Sequence, residues 1–409
     1  MSGPLKDVVV LDLTRFLSGP HCTLMLAGMG AEVIKIDDPR GGDPTAGAPP
    51  LVGPGGVSFS RASPDDYGIA YLKRTRGKQS ATLDLKKPEG RELFLRLVEH
   101  ADVVMENFRP GVAARLGIDY SALRARNPRI VYCALTGYGA TGPDRELKSY
   151  DLMAQAASGL MGITGEPDGA PMKTGAPLSD MIAGSYAAMG IVSALYERER
   201  SGEGQAIDVS MVDCLFSMMM DEPLDCYAQL GLQQRQGNRI MRFSPFNAFA
   251  ARDGWVAIGL AAAEEWPRLL KVMGREELAE HPDMRRLEWR LANNDEVDRL
   301  VGEWTARHDV ATVVAQLGAA DIACSPVRTP EQAIAWPHLR ERGLVQPLLR
   351  PGGEATGVVA AGFPFKFSRT QATLEKLAPV PGAHTAEVFA RFLGLGAAEL
   401  EALARRSVV

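Results

Sequence analysis

Apolar runs of strand length alternate with helical segments through the first half of the chain, and this alternation limits the possible folds most strongly. The runs occupy residues 8–13, 32–36, 102–107, 129–136 and 205–210. Strands that alternate with helices form a mostly parallel sheet that is covered by helices on both faces. Because the loops that follow parallel strands meet at one edge of the sheet, we expect an α/β domain that binds its ligand there.

The pattern changes near residue 230, where we predict a second domain. Residues 246–260 are typical of a hairpin with its turn at Asp253-Gly254, and helices follow to about residue 318. A strand at 322–327, short β pieces within 343–367 and a helix at 384–393 come next. We therefore predict a large α/β domain over residues 1–225, a smaller α+β domain over 226–325, and a return to the large domain over 326–409.

Residues 171–204 place one carboxylate, Asp180, between a Gly/Pro-rich turn and a long helix that ends near Gly202. This arrangement predicts that Asp180 is the N-cap residue. Unpaired backbone N–H groups and the positive end of the helix dipole would then stabilise its ionised form and lower its pKa. Such a carboxylate can act as a nucleophile, although many helices begin with an aspartate that is only a cap.

Two glycines near Asp180 favour a functional role. Gly175 and Gly184 are expected to leave open space on either side of the carboxylate, and the first turns of the helix carry little side-chain bulk. The same small residues would also let another helix pack closely. Both interpretations are open at this point.

Composition and motif content argue against several classes of function. The net charge of −5 and the scattered basic residues argue against nucleic acid as a general partner. The five cysteines and six histidines are also scattered, so neither a disulfide framework nor a metal site is expected. The segment TRFLSGP after the first strand lacks the GxGxxG pattern, which disfavours a nicotinamide enzyme.

The N-terminal segment enters the first strand without the features of a secretory signal peptide. No apolar run is expected to reach the length that spans a membrane. We therefore expect a cytoplasmic protein with no membrane partner.

Positive charge is concentrated in loops next to predicted strands, where it could hold an anionic ligand. The densest cluster lies within residues 71–87 and consists of Lys73, Arg74, Arg76, Lys78, Lys86 and Lys87. It is either a solvated basic face or a seat for phosphate groups. Arg40 could pair with a phosphate, and Arg109 and Arg115 flank a helix start that could receive an anion. The glycine-rich loop after residue 136 delivers Lys148, Tyr150 and Asp151 near its end.

Ten segments in order along the chain indicate a known family. They are VLDLTRFLSGPHCTLMLAGMGAEVIKI, GGDPT, RGKQSATLDLKKPEG, ADVVMENFRPGVAARLG, TGYGATGP, YDLMAQAASGLMGITG, the GAPLSD turn with its helix, SGEGQAIDVSMVD, FAARDGWVAIG and FPFKFS. In these segments the chain resembles the class III coenzyme A transferase family, which also includes the 2-methylacyl-CoA racemases. The similarity runs nearly end to end.

The resemblance implies roles for particular residues. Asp180, the aspartate of GAPLSD, would be the nucleophile of a transferase. Arg40 would be a candidate phosphate contact, because family members often carry basic residues where this chain has Asp37 and Asp38. The other contacts with coenzyme A would come from Leu17, Ser18, Leu83, Lys86, Asn107, Phe108, Arg109, Arg115, Lys148 and Tyr150.

The resemblance also implies an architecture and a chemistry. The large domain would be Rossmann-like, and two chains would interlock as rings in a homodimer. The substrate would be a coenzyme A thioester, with no permanently bound cofactor and no metal. The aspartate would form a mixed anhydride and then an aspartyl-CoA thioester.

Two other functions are open. A racemase would use Asp180 as one of two acid/base groups. That branch has a histidine where this chain has Tyr150, and tyrosine, with a reference pKa of about 10, suits a base that works near neutrality poorly. The third candidate is a non-catalytic acyl-CoA-binding subunit, which would not need Asp180.

The acceptor of coenzyme A is expected to be a small dicarboxylic acid, such as itaconate, malate or a succinate-like acid, with a donor such as succinyl-CoA. Arg239, Arg242 and Asn247 near the predicted domain junction favour this class. The oxalate-using branch carries a glutamine where Leu17 stands and a run of glycines near the start of the small domain. This chain has neither feature, so formate and oxalate are not expected.

Overall fold

The computed structural model describes residues 3–409. The strands of the described chain are β1 (Val9–Asp12), β2 (Glu32–Asp37), β3 (Leu51–Gly53), β4 (Gly56–Ser58), β5 (Tyr67–Gly68), β6 (Gln79–Thr82), β7 (Val103–Glu106), β8 (Val131–Thr136), β9 (Ala206–Ser210), β10 (Phe246–Ala251), β11 (Gly254–Gly259), β12 (Cys324–Pro326), β13 (Val345–Leu349) and β14 (Ala355–Ala361).

The helices of the described chain are α1 (Ser18–Gly28), α2 (Ile69–Thr75), α3 (Pro88–Val98), α4 (Val112–Leu116), α5 (Tyr120–Arg126), α6 (Asp151–Ala157), α7 (Leu160–Ile163), α8 (Leu178–Ser201), α9 (Met211–Met219), α10 (Glu265–Val272), α11 (Leu287–Ala292), α12 (Asn294–Thr305), α13 (Val310–Ala319), α14 (Pro330–Ala335), α15 (Pro337–Glu341), α16 (Thr385–Leu393) and α17 (Ala397–Arg405). Short 3-10 helices cover Pro44–Ala46, Leu224–Leu230 and Glu276–Leu278.

The chain separates into two compact units. The first contains the chain up to Leu160, Lys173–Glu222 and Pro337–Val409, and the second contains Met161–Met172 and Pro223–Trp336. The predicted domain boundaries, 1–225, 226–325 and 326–409, stay a prediction.

A six-stranded sheet forms the centre of the first unit, with the order β6-β2-β1-β7-β8-β9 and every neighbouring pair parallel. The prediction of a mixed α/β fold with a large parallel sheet is thus confirmed. From β1 the chain first builds outward through β2 and β6, and then continues on the other side of β1 with β7. The loops after β1 and β7 therefore diverge, and such a switch point forms a crevice at the carboxyl ends of the strands.

Helices cover both faces of this sheet. On one face α1 and α8 bury an apolar layer that includes Cys22, Leu26 and Ile191. On the other face α3 and α16 contribute Phe94 and Phe389 to a second layer. Each layer removes the apolar side of its helices from water, which is the main stabilising term for such a fold.

Helix α8 is the long helix that follows Asp180, and its small side chains allow close packing. A Cβ atom added at Gly184 would lie 2.5 Å from the Ser18 carbonyl oxygen, so α1 occupies the space beside this glycine. The expectation of open space at Gly184 is wrong, and the alternative of a tightly packed helix is correct there. At Gly175 nothing lies within 4 Å of the added atom, so that side of the turn is open.

The sequence analysis expected no apolar run long enough to span a membrane, and helix α8 departs from this expectation. With 24 residues it is long and apolar enough to span a membrane by length and composition alone. This is weak evidence for a span, because α8 packs against α1 and the sheet as a core helix.

Two segments between β2 and β6 are more regular than expected. The irregular piece predicted at residues 49–67 contains β3 and β4, and β3 pairs with both β4 and β5. Residues 71–85 begin with the end of α2, in which Tyr71 and Leu72 are fully buried. These side chains pack against Leu348 from β13 and Ala360 from β14. Strands more than 270 residues away in sequence decide this local structure, which short-range patterns do not reveal.

The second unit contains the predicted hairpin. Strands β10 and β11 pair antiparallel, and Ala251 pairs with Gly254. The turn residues are therefore Arg252 and Asp253, one position before the prediction. Strand β12 extends this small sheet, and helices α10, α12 and α13 cover it around Trp266 and Val301.

Candidate active site

A cavity of about 320 Å³ lies at the switch point of the large sheet. The loops after β1, β7 and β8 and the first turn of α8 surround it. Seven residues predicted from the sequence line it together: Ser18, Asn107, Phe108, Arg109, Lys148, Tyr150 and Asp180. These loops thus converge as expected, while the roles of the residues stay predictions.

Asp180 is not the N-cap of α8. The cap position belongs to Pro177, so Asp180 is the third residue of the helix. One of the unpaired N–H groups of the first turn, that of Ser179, donates instead to Oδ1 of Asp151 at 2.9 Å. The cap interaction is therefore supplied by a residue from α6, which is distant in sequence.

The pKa of Asp180 also differs in direction from the prediction. Burial, and then the negative charge of Asp151, raise this pKa to about 6. Hydrogen bonds from Ser18 and the positive charge of Arg74 oppose the rise. Desolvation and a like charge thus outweigh the N-terminal end of the helix, yet the carboxyl group is still mainly ionised at neutral pH.

The turn before Asp180 is held by two residues of α6. Gln155 is fully buried, and its Nε2 donates to Oδ2 of Asp151 at 2.7 Å. Its Oε1 accepts from the backbone N–H of Thr174 at 3.0 Å. Together with the bond from Ser179 to Asp151, these contacts fasten both ends of residues 174–179 to one helix. The position of Asp180 therefore depends on α6.

The loop after β1 is held by side chains from three other segments. Lys35 Nζ donates to the carbonyl of Thr14 at 2.6 Å, Asn107 Nδ2 to that of Arg15 at 2.8 Å, and Arg74 Nη1 to that of Phe16 at 2.6 Å. Phe16 has a φ of 69°, which is unusual for a residue other than glycine. A backbone conformation of this kind persists when its surroundings hold it. The three bonds thus place Ser18 beside Asp180.

A buried ionic cluster lies beneath this loop. Asp12 and Lys78 are fully buried, and Lys78 Nζ lies 3.0 Å from Asp12 Oδ2. Nearby, the buried Lys35 Nζ lies 3.2 Å from carboxylate oxygens of both Asp37 and Asp43. Although burial alone would raise it, Lys78 and Lys35 hold the pKa of Asp12 below its usual range. The sequence did not distinguish these buried charges from solvated ones.

Two other predicted contacts, Leu83 and Lys86, line a second cavity of about 190 Å³, and Arg40 pairs with two carboxylates in its wall. Arg40 lies 3.2 Å from Asp38 and 3.0 Å from Asp84, and Lys86 lies 3.4 Å from Asp38. Phe108 lines both cavities, so they adjoin one another.

Leu17 and Arg115 line neither cavity. Leu17 is the residue before the first turn of α1, and Arg115 belongs to α4. Other residues that line the larger cavity were not predicted, among them Phe16, Arg145 and Met211. Arg145 could have been predicted from the sequence, because it lies in the same loop as Lys148. Phe16 and Met211 had no signal beyond their position next to predicted residues.

The second unit contains a cavity of about 590 Å³ lined by Arg239 and Asn247. Arg239 Nη2 lies 2.7 Å from carboxylate oxygens of both Asp295 and Asp298, and Asn247 Nδ2 donates to Asp298 at 2.8 Å. The charge of Arg239 is therefore compensated within the unit. The structure contradicts the use of Arg239 and Asn247 as evidence for a carboxylate substrate, while Arg242 stacks on Phe243.

Within residues 3–409, no group of three or more histidine, cysteine, aspartate or glutamate side chains is placed to hold a metal ion. The arrangement around Asp180 instead combines a carboxylate, a cavity and basic loops. A carboxylate in such a site can form a covalent bond with an activated acyl group, while the basic loops can hold an anionic carrier.

Comparison with known proteins gives consistent results. Residues 5–385 match the model of CoA-transferase family III. The chain is 36% identical over 391 residues to the succinyl-CoA:mesaconate CoA-transferase of Haloarcula hispanica, covering 94% of this chain and 96% of that protein. It is 35% identical to the succinate–glutarate CoA-transferase of Agrobacterium fabrum, covering 95% of each. The crystal structure of a CaiB/BaiF family protein from Brucella suis superimposes with a TM-score of 0.82 at 32% identity, covering 96% of this chain and all of that one.

Proposed function

Since this chain belongs to CoA-transferase family III, we propose that it moves coenzyme A from an acyl-CoA, such as succinyl-CoA, to a small dicarboxylic acid. The observation that carries the proposal is the placement of the Asp180 carboxylate in a cavity lined by the loops of the large sheet. The relatives described above act on mesaconate and glutarate, which are both dicarboxylates. We infer the same class of acid for this chain.

The chemistry that we propose begins with the donor thioester. An oxygen of Asp180 attacks the acyl carbon, and the bond to sulfur breaks, which gives a mixed anhydride and the coenzyme A thiolate. The thiolate then attacks the aspartyl carbonyl and releases the donor as a free carboxylate. The resulting aspartyl-CoA thioester reacts with the acceptor carboxylate by the same two steps in reverse. Asp180 is regenerated, and no proton is gained or lost overall.

The chain's own residues have separate roles in this proposal. Ser18 holds the Asp180 carboxylate through hydrogen bonds. Arg109 and Lys148 line the cavity and would contact the anionic carrier. Arg40 and Lys86 are exposed and would exchange their ion pairs with Asp38 and Asp84 for phosphate groups beside the adjoining smaller cavity. Because each acyl exchange is between activated bonds, the main contribution of the protein is positioning.

The first expected result concerns pH. Asp180 must be ionised to attack, and its pKa is raised to about 6, so kcat/KM should fall as the pH decreases below about 6. Asp151→Asn removes the like charge and keeps an oxygen that can accept from Ser179, so the acidic limb should move to lower pH. Steady-state rates between about pH 5 and 8 measure this limb. Asp221→Asn changes an exposed carboxylate and serves as the control. A limb that does not move in Asp151→Asn would show that Asp151 does not set this pKa.

The decisive test of the proposed function is to trap the covalent intermediate. Incubation with acyl-CoA in the absence of an acceptor should leave the mass of coenzyme A on the peptide that contains Asp180. Hydroxylamine should then inactivate the enzyme by attacking the thioester. The control is the same incubation with Asp180→Ala, which should carry no adduct.

The alternatives give different results in this test. A racemase would exchange the α-proton of a 2-methylacyl-CoA with solvent deuterium and form no adduct, and a binding subunit would do neither. A racemase also needs a second acid/base group, and this chain has Tyr150 where that branch has a histidine. A cytoplasmic location and an interlocked homodimer stay predictions.

A further inference from the structure

Arg74 is the member of the basic cluster in residues 71–87 that contacts the active-site loop. Its Nη1 donates to the carbonyl of Phe16 at 2.6 Å, and Phe16 lines the same cavity as Asp180. Within residues 3–409, the other guanidinium nitrogens of Arg74 have no hydrogen-bond or ion-pair partner. The side chain is half-buried, so these donors can reach a ligand.

Other basic groups near Arg74 are already engaged. Arg76 donates from its three guanidinium nitrogens to backbone carbonyls. Lys78 is fully buried and paired with Asp12. Burial and the positive charges of Lys78 and Arg74 lower the pKa of His21 to about 4, so this imidazole is neutral at physiological pH. Of Arg74, Arg76, Lys78 and His21, Arg74 is therefore the group that is charged and still has donors for a ligand.

The position of Arg74 beside the larger cavity indicates which part of a substrate it could bind. Arg74 does not line that cavity, whereas its hydrogen-bond partner Phe16 does. The positive charge of Arg74 nevertheless acts on Asp180, and it opposes the rise in the pKa of that carboxyl group. The bond to Phe16 therefore places the guanidinium next to the wall of the cavity that contains Asp180, although Arg74 is not itself part of that wall.

We propose that Arg74 binds the second carboxylate of a dicarboxylate acceptor while the first carboxylate reacts at Asp180. This inference rests on the proposed coenzyme A transfer. A guanidinium holds a carboxylate through two parallel hydrogen bonds, which suits a site that must recognise an anion and fix its direction. A monocarboxylate of the same chain length lacks the group that Arg74 binds. Arg74 therefore determines specificity for diacids.

The test uses Arg74→Gln, which removes the charge and, because glutamine is the shorter side chain, also the bond to the Phe16 carbonyl. The enzyme is first charged with acetyl-CoA to form the aspartyl-CoA adduct, and discharge by succinate or butyrate is then followed in single turnovers. Charging and discharge by butyrate should slow by one common factor, because the bond to Phe16 and the charge that acts on Asp180 are lost whichever acid reacts. Discharge by succinate should slow by a further factor of about 10 to 100 at subsaturating acid, as expected for loss of a hydrogen-bonded charge. Arg74→Lys should recover part of this loss.

Arg124→Gln is the matched control, because Arg124 is exposed and pairs with Glu203 at the surface. Equal losses for succinate and butyrate in Arg74→Gln would overturn the inference and leave Arg74 with a structural role. An unchanged preference for succinate would also overturn it. If the wild-type enzyme forms no adduct and transfers no coenzyme A, the proposed function fails, and that failure is visible before any Arg74 variant is made.

Discussion

Replacing Asp180 by alanine is expected to abolish coenzyme A transfer, with a fall in kcat of at least about 10⁴-fold, since removal of a nucleophile leaves only binding and orientation. The affinity for coenzyme A should change little, because the basic loops that line the cavity are untouched. Steady-state rates and equilibrium binding measure the two effects separately. Turnover near the wild-type level in this variant would remove the proposed mechanism.

The Asp180→Asn variant tests how the same carboxylate affects the free energy of unfolding. The ionised carboxylate is costly in its site, because its pKa is raised from 3.8 to about 6 in the folded protein. The asparagine variant should therefore unfold at a higher denaturant concentration at neutral pH, with a gain of about 1–2 kcal/mol after allowance for solvent. The gain should be complete above about pH 6 and absent below the unfolded-state pKa of 3.8, where the carboxyl group is protonated in both states. A variant that is inactive and less stable at every pH would indicate a structural role.

Replacing Lys78 by methionine is expected to be strongly destabilising, by about 3–5 kcal/mol, because it leaves the Asp12 charge buried without its partner. Lys78 Nζ also donates to Thr23 Oγ1 at 2.7 Å and to the Pro20 carbonyl at 3.1 Å, so three contacts are lost at once. The midpoint of urea unfolding measures the effect. Activity should fall as well, since the cluster lies beneath the loop that holds Ser18.

Two further variants separate burial from charge. Arg124→Met breaks an exposed pair with Glu203 and should cost less than about 1 kcal/mol. The double variant Asp12→Asn/Lys78→Met removes both charges, keeps an acceptor oxygen for Thr14 and places an amide donor next to Thr23 Oγ1. It should therefore be less destabilised than Lys78→Met alone. A loss in Lys78→Met as small as that in Arg124→Met would contradict the structural role of the pair.

The large sheet illustrates how much of the fold the sequence predicts. The strands of the large sheet are recognisable from local apolar patterns, and the rules for connecting parallel strands then leave few arrangements. The observed order β6-β2-β1-β7-β8-β9, with every pair parallel, is one of these arrangements. The loops that follow these strands had to meet at one edge, which is why Ser18, Asn107 and Asp180 line one cavity.

The electrostatics around Asp180 show what the sequence could not predict. Its position next to a turn suggested an N-cap with a lowered pKa, but the helix begins after Pro177 and the cap interaction comes from Asp151. Burial and that same aspartate reverse the direction of the pKa shift. Both causes depend on residues that are brought together by packing.

The basic cluster in residues 71–87 shows the same difference between what the sequence predicts and what the structure contains. In sequence, Arg74, Arg76 and Lys78 form one cluster with one composition. In the structure Lys78 is fully buried against Asp12, Arg76 caps distant carbonyls, and Arg74 reaches the active-site loop. The sequence by itself determined the strands of the parallel sheet and the edge that holds the site, because these follow from local periodicity and chain connection. Only the tertiary structure decided which charges are buried, paired or available, because desolvation and Coulomb energies depend on neighbours that are far apart along the chain.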